Sequence, residues 1–122
     1  MKPIAKPSLD ANSKSGSAPD LAQAIDLLWA RFLPEIRNRV EVLKAAAAAC
    51  AVKRLSSAQR EAAHAAAHKL AGTLGTFNLT RGTVLAREFE LVCCREDTPD
   101  ATVAGRLGAI AAELRTIVDG RK

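Results

Sequence analysis

Two histidines, His64 and His68, stand four residues apart in a stretch that reads as helix, and a four-residue step places both on one face. Imidazole has an ordinary pKa of ~6.5, so near neutral pH it offers an uncharged ring nitrogen that can act as nucleophile, base or metal ligand. A zinc site would need a third ligand, and Cys50, Cys93 and Cys94 form no CxxC or other zinc spacing. No metal is therefore expected. At about 100° per residue, His68 lies roughly 200° from Leu70. His64, His68, Ala71, Gly72 and Gly75 fall together on the side expected to face solvent. Ala63, Ala66, Ala67, Leu70, Leu74 and Phe77 form the opposite, apolar side. Gly72 costs roughly 1 kcal/mol of helix stability relative to alanine, and Gly75 adds to that. The small residues leave a bare patch around His68 that another surface can approach closely. Elsewhere the sequence holds no glycine loop followed by Lys-Ser/Thr, and no paired carboxylates are expected on the histidine face.

The elements that must position His68 read as helices throughout. Residues 1–18 hold Pro3, Pro7, several serines and few apolar side chains, which predicts a disordered tail. The first helix is expected to open near Pro19-Asp20, with Ile25, Leu28 and Phe32 at helical steps and Trp29 as a partly buried anchor. Pro34 should kink that helix or start a new one. Leu33, Ile36, Val40, Leu43, Ala47 and Cys50 continue the stripe. Ser56 or Ser57 can cap the histidine helix, with Glu61 close behind. That helix should run to about Leu74 or Phe77 and break at Thr76-Phe77-Asn78-Leu79. Thr80 is the expected cap of the next helix, in which Val84, Leu85, Glu88, Phe89, Leu91 and Val92 put an apolar side inward. Asp97-Thr98-Pro99-Asp100 reads as a turn. Val103, Leu107, Ile110, Leu114 and Ile117 give the last helix a near-heptad stripe suited to bundle packing. The fold class is therefore all-α: an antiparallel four-helix bundle over 19–122, with an N-terminal helical extension and the tail over 1–18.

The chain of 122 residues is long enough for one domain with a real core. Aromatic residues make up only 3% and there is no Tyr, so a base-stacking surface has little material, and no compact Lys/Arg cluster appears. Nucleic acid is not an expected partner. The net charge of +5 can steer an acidic protein partner. No apolar stretch approaches transmembrane length, so no membrane contact is expected. The odd cysteine count and the lack of a signal peptide point to reduced thiols in the cytoplasm, with Cys50 and Cys93 as small core residues.

The run His68-x-Leu70-x-Gly72, followed by Leu74 and by Phe77-x-Leu79, resembles the core motif of histidine phosphotransfer (HPt) domains of bacterial phosphorelays. The resemblance implies a four-helix bundle whose exposed histidine accepts a phosphoryl group from the aspartate of a receiver domain and passes it on. His68 matches the phosphoacceptor. Gly72 matches the small residue that makes room for the receiver. Many members carry Lys or Arg three residues after the histidine, where this chain has Ala71, and many carry Gly where Asn78 stands. The implied partner is a response-regulator receiver domain, free or within a hybrid histidine kinase. That partner supplies the aspartate and Mg²⁺, so no cofactor is expected on this chain. His64, Lys69, Ala71, Gly72 and Gly75 are the expected partner-binding residues, and docking is expected near Leu74 and the first helix. The chain would be a phosphotransfer intermediate without autonomous catalysis, not a kinase. A free-standing monomer is expected. The alternative of a different class is a non-catalytic helical adapter that binds a receiver or another protein through the same face.

Overall fold

The computed structural model of the chain describes residues 17–93 and 101–121. Four helices follow in order: α1 (Ser17–Ala51), α2 (Ser57–Thr76), α3 (Thr80–Cys93) and α4 (Ala101–Gly120). Among the described residues there is no strand, and the four-helix bundle expected from the sequence is what forms. The expectations for the tail over 1–16, for Cys94 and for the turn at 97–100 lie outside the described residues. No helix among the described residues is long and apolar enough to cross a membrane.

The chain divides into two compact units that meet between Phe32 and Leu33. The first contains the opening half of α1. There Leu21, Ile25, Leu28 and Phe32 are exposed, whereas Trp29 is buried. The second contains the rest of α1 together with α2, α3 and α4. Pro34 neither ends α1 nor begins a new helix: α1 runs through it as one element.

Within the second unit, the core follows the stripes read from the sequence. Ile36, Val40, Leu43, Ala47 and Cys50 of α1 are buried. So are Leu70 and Leu74 of α2, Leu85 and Phe89 of α3, and Leu107, Ile110 and Leu114 of α4. Cys50 and Cys93 lie buried in this core, and Cys93 Sγ donates to Arg60 C=O at 3.7 Å. Two expectations for α3 fail. Val84 and Leu91 are 50% and 71% exposed, because they fall on the far side of α3 from Leu85 and Phe89.

The helix ends are built by local chemistry. Ser56 caps α2, and Gln59 completes a capping box with it; Gln59, not Glu61, is the partner, because only the third residue of the helix can reach back to the cap. At the far end of α2, Leu79 N–H bonds Leu74 C=O at 2.9 Å and Asn78 N–H bonds Gly75 C=O at 3.1 Å. This pair of bonds forms a Schellman motif, which demands a left-handed residue. Asn78 supplies it with φ 60°, a conformation asparagine tolerates better than most residues. The C-terminus of α1 ends the same way, with Lys53 at φ 57°. Leu79 C=O accepts from Thr83 N–H at 3.0 Å, so Leu79 holds the cap position of α3 that the sequence assigned to Thr80.

Charged pairs tie α3 to α4. Arg81 forms a forked pair with Glu113 at 2.8 and 3.1 Å, and Arg106 forms another with Glu88. The hydrogen bond from Arg106 holds the Glu88 carboxyl below its ordinary value, and that from Arg81 does the same for Glu113. A carboxyl depressed in the folded state contributes stability that is present above its unfolded pKa of ~4.3 and lost as pH falls through the folded value. The melting temperature of the native chain is therefore expected to exceed that of Glu113→Gln at neutral pH, with the gap closing as acid protonates both pairs. Melts followed by circular dichroism from pH 7 to pH 3 check this.

Candidate functional site

The site is built on the seam between α2 and α3. A three-residue connection, Phe77–Leu79, returns the chain so that α3 runs antiparallel to α2. Thr83 Oγ1 donates to Ala71 C=O at 2.9 Å. A Cβ placed on Gly75 would stand 3.3 Å from the same Thr83 oxygen, and one placed on Gly82 would stand 2.8 Å from Leu74 Cδ1. The absence of side chains at these two glycines lets the helices close onto each other.

Two turns further along, this seam brings Glu90 of α3 against the histidines of α2. Glu90 Oε2 lies 3.0 Å from His68 Nδ1 and 3.3 Å from His64 Nε2. The Glu90 side chain is 20% exposed and that of His68 is 73% exposed. A ring nitrogen facing a carboxylate carries the hydrogen, so Nδ1 of His68 donates to Glu90. The lone pair is then on Nε2, at the open edge of the ring. In that tautomer the arrangement presents an oriented, accessible ring nitrogen with an anion behind it.

The small residues expected around His68 divide. Gly72 and Gly75 are exposed, and a Cβ on Gly72 would meet nothing within 4 Å. Lys69 is exposed. His64 is half-buried beside Glu90. Ala71 is not on the open face: it is 5% exposed. Helix α3 covers that edge of α2, which widens the buried arc beyond the stripe of leucines and alanines. Ala71 therefore offers no side chain to a partner. Leu74 is likewise fully buried and presents no docking surface.

Glu90 is a single carboxylate that the sequence reading did not single out. It lies 22 residues beyond His68 and enters only through the pairing of two helices. The signal was nonetheless present in outline, since a glutamate on the helix that follows a tight antiparallel turn has to lie level with some residue of the helix before it. Arg81, another residue of α3, turns to Glu113 on α4 instead. Among the described residues no group of three or more His, Cys, Asp or Glu side chains is arranged to hold a metal ion.

A family model described as Hpt domain matches residues 27–120. No curated protein and no solved structure matches the chain.

Proposed function

The chain belongs to the Hpt domain family, whose members act in histidine phosphotransfer within phosphorelays, and on that premise we propose that His68 is its phosphoacceptor. The observation that carries the reading is the Glu90–His68 hydrogen bond at 3.0 Å, on a ring otherwise open to solvent. The phosphodonor is the acyl phosphate on the aspartate of a receiver domain. The Nε2 lone pair attacks phosphorus and an N–P bond forms. The P–O bond to the aspartyl carbonyl carbon's oxygen breaks, and aspartate leaves with the electron pair as a carboxylate. The ring becomes cationic as the bond forms. Glu90 faces the Nδ1–H that carries much of this charge, so it stabilises the charged ring while fixing its orientation. Return of the phosphoryl group to a second receiver is the same sequence in reverse.

In this proposal the receiver brings Mg²⁺, and this chain contributes the nucleophile and a docking face formed by His64, Lys69, Gly72 and Gly75. The receiver is free or carried by a hybrid histidine kinase, and the chain acts as a cytoplasmic monomer. The test is phosphoryl acceptance from a panel of phosphorylated receiver domains in the presence of Mg²⁺. The expected result is an acid-labile, base-stable label on this chain. A folded chain that takes no label from any receiver overturns the reading and favours a binding adapter.

The open space at Gly72 gives a separable prediction. Gly72→Ala should stabilise the protein by about 1 kcal/mol through helix propensity alone and leave transfer nearly unchanged. Gly72→Gln should also gain stability but slow transfer, because its longer side chain stands where the receiver must approach. Urea midpoints paired with transfer rates distinguish the two effects.

A further inference from the structure

We infer that Arg87 of α3 is the cation that contacts the phosphoryl group on His68, taking across the helix seam the place that Ala71 leaves empty along α2. This assignment rests on His68 being the phosphoacceptor. The register of the seam carries it. Thr83 stands against Ala71 and Gly75, and Glu90 stands against His64 and His68. From Thr83 to Glu90 is seven residues along α3, and from Gly75 to His68, or Ala71 to His64, is seven residues back along α2. Two turns of one helix therefore match two turns of the other. Arg87 is four residues after Thr83 and three before Glu90, which sets it level with the turn from Ala67 to Ala71 that holds His68. Steps of four and three also keep Arg87 on the same side of α3 as Thr83 and Glu90.

The charge balance calls for such a group. A phosphoryl group on Nε2 adds nearly two negative charges across the ring from the carboxylate of Glu90, whose Oε2 is already shared by two histidines. Arg81, Arg106 and Arg115 are held in ion pairs with acidic side chains. Arg87 is exposed, and among the described residues it makes no hydrogen bond or ion pair. Its guanidinium is free to form a forked contact with phosphate oxygens. Lys69, the other cation near His68, projects about 100° around α2 from it, on the flank turned away from α3. In the transfer step Arg87 neither gives nor takes a proton. It donates N–H hydrogen bonds to the phosphoryl oxygens while the N–P bond forms and the P–O bond breaks.

The test uses the whole chain phosphorylated chemically with phosphoramidate, so it needs no receiver. Phosphorus NMR follows protonation of the phosphohistidine, and loss of the signal in His68→Gln assigns it. Arg87→Ala is expected to raise the midpoint of phosphoryl protonation by roughly half a unit or more, because a nearby cation favours the dianion. Arg87→Lys should retain most of the native midpoint. Transfer from a phosphorylated receiver should slow by about tenfold in Arg87→Ala, with the melting temperature unchanged because the side chain is exposed. A native midpoint in Arg87→Ala overturns the assignment, as does a shift produced by Lys69→Ala in its place. If no receiver labels the native chain but the Arg87-dependent shift is present, the receiver reading falls and the cation assignment stands.

Discussion

His68→Gln is expected to remove phosphoryl acceptance completely while leaving the fold intact. Glutamine has no nucleophilic nitrogen, so the N–P bond cannot form. Its amide can still donate to Glu90, which preserves the one polar contact that the structure gives His68. The side chain is 73% exposed, and substitutions at such positions usually change stability by no more than about 0.5 kcal/mol. Circular dichroism melts should therefore superimpose with the native chain, and the label from a phosphorylated receiver should be absent. A label that persists would place the acceptor elsewhere. His64 would be the first candidate, since it shares Glu90 and retains 41% of its side-chain exposure.

The second large effect concerns the α3 helix that carries Glu90. Phe89→Ala is expected to cost about 3–5 kcal/mol, the range for deleting a fully buried aromatic ring. Phe89 is 0% exposed and heads the largest side chains of the core. Since small domains are stable by only about 5–15 kcal/mol, this loss is a large share of the total and should lower the urea midpoint steeply. Leu91→Ala, two residues on, should be nearly silent, because Leu91 is 71% exposed. The pair tests which way α3 faces: equal losses at both positions would mean that α3 is rotated relative to the structure described here. Such a rotation would also carry Glu90 away from His68, so the stability measurement bears on the site as well as the core.

The histidine motif and the elements around it were legible because their determinants are local. Apolar residues at steps of three and four identified α2 and α4, and the break after α2 was readable from Thr76 to Leu79. A serine cap at Ser56 or Ser57 could be named because capping is local, and the structure selects Ser56 with Gln59 as its partner. The exposure of His68 followed from its angle to Leu70 on the same helix. Membership of a helical phosphotransfer family was visible in about a dozen residues, and the family match extends that to 27–120.

What the sequence left open depended on which neighbour covers which side of a helix. Angle along a helix says where a side chain points but not how wide an arc the adjacent helices bury. Ala71 sits near the edge of the apolar arc of α2, and only the approach of α3, permitted by Gly75 and Gly82, puts it inside. Val84 and Leu91 read as inward by their hydrophobicity, yet the arc of α3 is centred on Leu85 and Phe89, and alternatives a turn apart cannot be separated by composition. Arg81 and Arg87 stand on the same helix, and only the packing of α4 shows that Arg81 turns to Glu113. Glu90 reaches His68 across 22 residues because two helices pair in one register. That register is decided by interhelical packing, a long-range contact that no periodicity within either helix encodes.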